Sequence, residues 1–94
     1  MRIEEKCYMI VTKVNNEDVY LTDGVHCYEL AEHIGGAVKC ANATTADVLR
    51  RAYFEERYWR GERDISLDSI HDFDTVPDKI KNFNIVPVMI TYEY

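Results

Sequence analysis

Five of the six arginines in this acidic chain lie within residues 44–64, TTADVLRRAYFEERYWRGERD. Guanidinium groups bind phosphate and carboxylate oxygens through paired hydrogen bonds, so such a cluster could form an anion site. At helical spacing, Arg50, Arg57 and Arg60 share one side and are the candidate anion-binding residues. However, residues 50–64 carry five positive and four negative charges. We therefore expect the arginines to organise the protein's own acidic segment rather than to bind a ligand.

A run of aspartates follows, from Asp64 to Asp78, with no lysine or arginine. A metal site would draw on His71, Asp72, Asp74 and Asp78, but calcium loops need a glycine turn, which DSIHDFDTVPD lacks. We predict no metal site. The remaining alternatives are a solvated acidic face and a docking surface for a basic protein, with Asp68, Asp72 and Asp74 as the candidate binding residues.

The three cysteines and three histidines show no spacing that would fix a nucleophile beside a base. We therefore predict a protein that is not an enzyme and has no cofactor. The cysteines are odd in number and include no CxxC pair, which favours reduced, mostly buried thiols, without disulfides or zinc. The N-terminus carries no recognisable export signal, so we expect a cytoplasmic protein. A net charge of −6 makes nucleic acid an unfavoured partner, and no apolar run is long enough for a membrane helix.

The N-terminal part of the chain predicts a β-meander. CYMIVTKV (Cys7–Val14) is apolar on both alternating faces, which is typical of a central strand covered on two sides. Residues 15–18, NNED, have turn chemistry, and VYLT (Val19–Thr22) predicts a second strand. Asp-Gly at residues 23–24 is a strong hairpin signal, so VHCYEL (Val25–Leu30) is the expected third strand.

Residues 25–41 leave two questions open. Cys27, Leu30, Ala31 and Ile34 also fit the i, i+3, i+4, i+7 template of a helix that would stop at the following glycines. We favour the strand, because the Asp-Gly turn constrains the backbone more strongly. AVKCA (Ala37–Ala41) fits either a short strand or an extended linker.

A helix is predicted from Thr45 to Arg60, where neither Gly nor Pro occurs, and Gly61 should end it. Thr44 and Asp47 form an apparent capping box at its start. The apolar side predicted to face the sheet, against Met9 and Val11, contains Val48, Leu49, Ala52, Tyr53 and Trp59. Phe54 and Tyr58 lie on another side, which indicates a second contact surface.

The remainder of the chain predicts short helices and a final strand. Asp64, Asp68 and Asp72 are spaced four apart among apolar residues, as in a short amphipathic helix, and Pro77–Phe83 fits another turn. NIVPVMITYEY (Asn84–Tyr94) is rich in β-formers, and Pro87 favours an edge position for it. The expected fold is a single α+β domain spanning residues 1–94. In it, a small antiparallel sheet, formed by the N-terminal meander and the C-terminal strand, packs against one main helix and one or two short helices.

Aromatic residues are the last candidate binding groups. The chain has seven tyrosines and one tryptophan, more than a small core obviously needs. Tyr, Trp and Arg are enriched at interface hot spots. Either these rings simply complete a small core, or they form an interface with another protein or with a second copy. The candidate residues for such an interface are Phe54, Tyr58, Arg57, Tyr92 and Tyr94.

The hairpin start YMIVTKVNNEDVYLT, the single capped helix and the final strand IVPVMITYEY together resemble the small acidic accessory proteins of phages and prophages. The resemblance is one of general style over the whole length, and no motif transfers functional residues. It implies a stoichiometric inhibitor of a host defence protein, of the anti-CRISPR or another anti-defence kind. A homodimeric structural or regulatory protein is the second hypothesis, and a nucleic-acid binder using Arg50, Arg57 and Arg60 is the third.

Overall fold

The computed structural model describes residues 1–22, 29–63, 65–72 and 78–94. Its elements in chain order are β1 (Arg2–Val14), β2 (Glu17–Leu21), β3 (Leu30–Ala31), a 3-10 turn (Ile34–Gly36), α1 (Ala43–Trp59), α2 (Leu67–His71), α3 (Asp78–Lys81) and β4 (Asn84–Glu93). The described strands form one four-stranded antiparallel sheet in the order β3-β2-β1-β4. The predicted α+β class, with one main helix and short helices, is confirmed.

The first hairpin turns through Asn15 and Asn16, which have φ values of 53° and 67°. Val14 pairs with Glu17, so the loop has two residues. Both φ values are left-handed, as a type I′ turn requires, and asparagine tolerates this conformation better than most residues. The predicted turn is confirmed but shorter than NNED, since Glu17 already belongs to β2.

β1 begins at Arg2, five residues earlier than predicted. It pairs with the whole of β4, from Arg2↔Glu93 to Val11↔Asn84. β4 forms one edge of the sheet, as predicted from Pro87. Tyr8 lies opposite Pro87, but its own N–H and C=O bond Cys40 on the other side, at 2.8 and 2.9 Å. The Tyr8–Pro87 pair is therefore not hydrogen-bonded, and the absent N–H of the proline interrupts no bond to β1.

Only part of the open question about residues 25–41 falls within the described residues. The Asp-Gly turn and most of the predicted strand Val25–Leu30 lie outside them. Leu30 and Ala31 pair with β2 as a strand, and the next residues form the 3-10 turn Ile34–Gly36. In AVKCA, Cys40 makes an isolated antiparallel bridge to Tyr8, so this segment is extended.

The predicted capping box is wrong. α1 begins at Ala43, and its N-cap is Asn42, whose side-chain oxygen accepts a hydrogen bond from the Thr45 N–H at 2.8 Å. Asparagine is among the best N-cap residues because its short side chain reaches the unpaired amides of the first turn. Asp47 is consequently free to bind arginines instead. The prediction that Gly61 ends the helix is confirmed, since α1 ends at Trp59 and Gly61 adopts φ 108°.

α1 packs on a different face of β1 from the one predicted. Tyr53 and Ala46 lie in one buried cluster with Ile10, and Leu49 packs against it. Met9 belongs to a separate cluster on the opposite face. Two of the helical positions predicted to be buried are exposed: Val48 is 49% accessible and Trp59 61%. The apolar stripe on the helix is thus narrower than its sequence indicates.

The second stripe of α1 does find a contact surface, within the same chain. Phe54 and Tyr58 pack against Ile65, Ile70 and Ile80, the buried residues of the segment that carries α2 and α3. α2 is capped by Ser66, whose side chain accepts a hydrogen bond from the Ser69 N–H. The predicted short helices are therefore confirmed over Leu67–His71 and Asp78–Lys81, while Asp64 and Pro77 lie outside the described residues.

Candidate protein-binding surface

Asp47 joins two of the clustered arginines. Arg50 and Arg51 donate to its two carboxylate oxygens at 2.7 and 2.8 Å. Arg50 also donates to the Phe83 carbonyl at 2.9 Å, which connects the helix to the start of β4. Burial alone would raise the pKa of Asp47, but the two arginines' hydrogen bonds and charges outweigh it and hold that pKa below its usual value.

Arg51 connects α1 to the aspartate run. It is only 5% exposed, and it donates to the backbone carbonyls of Ile70 at 2.7 Å and Asp72 at 3.0 Å. These carbonyls lie at the C-terminal end of α2, where cations are favoured. Arg51 therefore fixes the acidic segment through its backbone carbonyls.

The other arginines of the stretch bind groups close in sequence. Arg57 pairs with Glu62 and donates to the Tyr53 hydroxyl at 3.0 Å. The Glu62 hydrogen bond raises the pKa of Arg57, and the same bond lowers the pKa of Glu62. Arg60 pairs at 2.8 Å with Glu56, which lies four residues earlier on the helix.

Arg63 stacks over the ring of Tyr58, with its guanidinium carbon 4.3 Å from the ring centroid. With this contact, each of the five clustered arginines has a partner in its own chain. Arg50 and Arg51 connect segments that are distant in the chain, whereas the side chains of Arg57 and Arg60 remain partly exposed. The anion-site hypothesis stays a prediction.

The aspartate candidates remain at the surface. Asp68 and Asp72 are exposed, whereas Asp74 lies outside the described residues. His71 is 3.7 Å from Glu55. Within the described ranges, no three potential metal ligands are grouped as a metal ion would require. A docking role for the aspartates stays a prediction.

The aromatic candidates divide into two groups. Phe54 forms edge-on ring contacts with Tyr53 and Phe83, at centroid distances of 5.3 and 4.9 Å, so its role is core packing. Tyr58 is half-buried between Trp59 and Arg63. Tyr92 and Tyr94 are exposed, and they lie at the far end of β4.

That far end forms a two-stranded arm, comprising residues 1–6 and 89–94. The pairing runs from Lys6↔Met89 to Arg2↔Glu93, and the Tyr94 N–H donates to the Met1 carbonyl at 2.9 Å. Strand alternation gives the arm two different faces. Arg2, Glu4 and Lys6 lie on the face that points to the α1 side of the sheet.

The opposite face of the arm is apolar. Along β1 it carries Met1 and Ile3, with Glu5 as the charged exception. Along β4 it carries Ile90, Tyr92 and Tyr94. We call this surface, together with its continuation onto the sheet described next, the apolar face.

The apolar face continues as a groove of about 290 Å³ beside the 3-10 turn. Its walls include Ile34, which is 54% exposed, and Val86 and Val88 of β4. Asp18 lies at its rim. Monomeric proteins seldom expose extended apolar surface, so this one is a candidate interface.

A larger depression of about 510 Å³ lies by the junction of α3 and β4. Phe54 and Phe83 contribute to its wall, and Lys13 and Lys79 to its rim. The other polar groups among the described residues that line it are the Thr12 hydroxyl and the Asn82 and Asn84 amides.

Of the eight residues predicted from the sequence, the seven that the structure describes do not form one surface. Asp68, Asp72, Phe54, Tyr58 and Arg57 lie on or against the helices, on one side of the sheet. Tyr92 and Tyr94 belong to the apolar face on the other side. Sequence reasoning missed Ile3 and Ile34 as candidate binding residues. The signal was present for Ile3, because Met1 and Ile3 alternate with the charged residues Arg2 and Glu4.

No family model matches the chain, and no curated protein or solved structure matches it significantly. No helix in the described ranges is both long and apolar enough to cross a membrane. The apolar face therefore has to be interpreted from its own chemistry.

Proposed function

We propose that this chain is a protein-binding module that docks a partner protein on its apolar face. The observation that carries the proposal is the continuity of this surface from Met1 and Tyr94 at the tip of the arm to the groove at Ile34 and Val86. α1 covers the other face of the sheet, whereas only the segment around Ala37 packs on this one among the described residues. Such a surface gains free energy when a partner removes it from water, at about 25 cal/mol per Å² of apolar area.

The chemistry of the surface indicates an apolar segment flanked by lysine or arginine. Glu5 is the charged side chain within the apolar face of the arm. Asp18 borders the groove but lies 3.7 Å from Lys13, so Glu5 supplies most of the negative charge there. A net charge of −6 adds a long-range attraction for a basic partner. Charge complementarity of this kind raises the association rate and excludes acidic competitors.

The mode of action that fits this surface is stoichiometric binding without catalysis. The more specific form, taken from the resemblance to phage accessory proteins, is an inhibitor that occupies a host defence protein in the host cytoplasm. An inhibitor of that kind needs an exposed contact surface and no reactive groups, and the apolar face supplies such a surface.

A yeast-displayed library of random 16-residue peptides tests the proposal. Peptides selected on the purified protein should be rich in apolar residues combined with Lys or Arg. Titration calorimetry should give one peptide per chain. Ile3→Asp and Ile34→Asp should each weaken binding at least tenfold, and Glu5→Lys should weaken the most basic peptides most.

Val48→Asp is the matched control, because Val48 is exposed to a similar degree but lies on α1, on the other side of the sheet. It should change the affinity by less than twofold. Peptides that bind the Ile3 and Ile34 variants as tightly as the unmodified protein, or that lose binding only with Val48→Asp, would refute the apolar face as the binding surface.

A further inference from the structure

The outer edge of β4 presents a row of backbone groups to solvent. Tyr8 directs its N–H and C=O away from β4, towards Cys40, so Cys7 and Met9 direct theirs to Val88 and Val86. By the same alternation, Met89, Thr91 and Glu93 direct theirs outward, where no described residue bonds them. Open edges of this kind pair readily with a further strand.

Only the first half of the β4 edge is protected against pairing with a further strand. Pro87 lies at an outward position and removes one donor there. Beyond it, residues 88–93 contain neither proline nor lysine, and Glu93, at the end of the strand, is the one charged residue among them. The other edge of the arm carries Arg2, Glu4 and Lys6 at its outward positions, and these charged side chains discourage pairing there.

We propose that this edge binds a second copy of the same chain, by antiparallel pairing of Met89–Glu93 about a two-fold axis at Thr91. This inference is independent of the proposed function, because it uses the backbone edge of β4 rather than the apolar face. Thr91 pairs with its symmetry mate, and Met89 pairs with Glu93 of the other copy. About six backbone hydrogen bonds form: two for the Thr91 pair and two for each of the two symmetry-related Met89–Glu93 pairs.

Side chains select this register. Thr91 meets Thr91, and Ile90 meets Tyr92, and both kinds of cross-strand pair are favourable. Glu93 lies opposite Met89, so no like charges face each other. A register centred on Met89 or Ile90 would place Pro87 inside the new ladder and lose a hydrogen bond.

The shape of the molecule allows the pairing. The chain measures 49 × 28 × 27 Å, and the arm lies at the opposite end of β4 from the helices that precede Asn84. Antiparallel overlap of the arms therefore keeps the two helical layers apart. It also sets the two apolar faces side by side on one surface, since paired residues point to the same side of a sheet.

The dimer should be weak. Five paired residues from each copy bury less than the roughly 800 Å² per partner of a standard stable interface. We expect dissociation in the micromolar range, so that the dimer dominates at high concentration and the monomer at low concentration.

Sedimentation velocity from about 1 to 500 µM tests the proposal. The unmodified protein should shift from monomer to dimer. Thr91→Pro should remain monomeric to at least tenfold higher concentration, because it removes the central outward N–H. Pro87 already occupies an equivalent outward position, so this proline should leave the β1–β4 ladder intact. Thr91→Val keeps the N–H and is the control that should still dimerise.

A cysteine at the axis provides a second readout, which does not require Thr91→Pro to fold. Paired α-carbons at the axis lie about 5.5 Å apart, within disulfide range. Thr91→Cys should form a covalent dimer on mild oxidation, with the unmodified chain as the control for Cys7, Cys27 and Cys40. A monomer at all concentrations, equal dimerisation of Thr91→Pro, or no excess of covalent dimer from Thr91→Cys would overturn the pairing.

Discussion

At the scale of single residues, the arginines define how this protein is held together. Arg51 is the one that is buried, and its partners lie on two elements, α1 and the end of α2. Asp47 supplies the carboxylate for both Arg50 and Arg51. The arginine cluster, read in isolation, looks like an anion site, but each guanidinium already has its own carboxylate, carbonyl or ring.

Replacement of Arg51 by alanine should therefore be among the most destabilising single changes. It removes the donor of the buried bond to the Ile70 carbonyl and of the part-buried bonds to Asp72 and Asp47, while Arg50 still pairs with Asp47. An acceptor that is left buried and unsatisfied costs about 1–3 kcal/mol. Arg60→Ala should cost less than about 1 kcal/mol, since its pair with Glu56 is exposed. Urea unfolding measures both values. Equal losses would contradict the assigned role of Arg51.

Acid should weaken the same site. The pKa of Asp47 is lower in the folded protein than in the unfolded chain, so its contribution is complete above about pH 4 and is lost as the pH falls through the lower, folded-state value. Asp47→Asn should thus be less stable than the unmodified protein at pH 7, and the difference should shrink below about pH 4. Asp18→Asn, which breaks an exposed pair with Lys13, is the control and should change stability at pH 7 by less than about 1 kcal/mol. Urea unfolding from pH 2.5 to 7 gives the comparison.

At the scale of elements, the two faces of β1 are covered to different extents. The face with Ile10 is covered by α1, and the face with Met9 is covered only near Ala37. Beyond Cys7 towards the N-terminus, β1 and β4 continue as an arm with side chains that are largely exposed. A two-stranded ribbon is only marginally stable alone, and contact with another surface or strand would stabilise it. We therefore propose the uncovered surfaces of the arm for binding.

The helix start offers a test at this scale. Asn42→Ala should destabilise the protein by about 1 kcal/mol, because the Thr45 N–H loses its cap. Thr44→Ala, at the residue that the sequence pattern indicated, should change stability by less than about 0.5 kcal/mol. Urea unfolding at neutral pH measures the loss of stability for both variants. A larger loss for Thr44→Ala than for Asn42→Ala would support the predicted capping box instead of the Asn42 cap.

At the scale of the whole molecule, the charges oppose binding of a polyanion. The net charge is −6, and the clustered arginines are engaged within the chain. Fluorescence anisotropy with labelled single- and double-stranded DNA should therefore show no binding at about 150 mM salt, where the Debye length is about 8 Å. Tight binding with a steep salt dependence would instead support the nucleic-acid hypothesis, since it would report release of counterions from neutralised phosphates.

The sequence by itself determined the local structure of this protein. Asn15-Asn16 specifies a turn because asparagine tolerates positive φ, Pro87 specifies an edge because it lacks a donor, and the long run without Gly or Pro specifies α1. The neutralisation of Arg60 by Glu56 was also visible, because residues four apart meet on a helix. Each of these features depends on residues close together in the chain.

Only the tertiary structure decided which surfaces are covered. Val48 and Leu49 are adjacent and both apolar, yet only Leu49 packs on the sheet, since the way α1 lies on β1 and β4 fixes which of its sides is buried. Arg51 reaches Ile70 and Asp72 across about 20 residues of chain, a contact that helical periodicity does not encode. The apolar face was equally hidden, because Ile3 and Tyr92 become neighbours only when the two ends of the chain pair as strands. Pairings between distant segments depend on the whole fold, and they created the surface to which we assign the function.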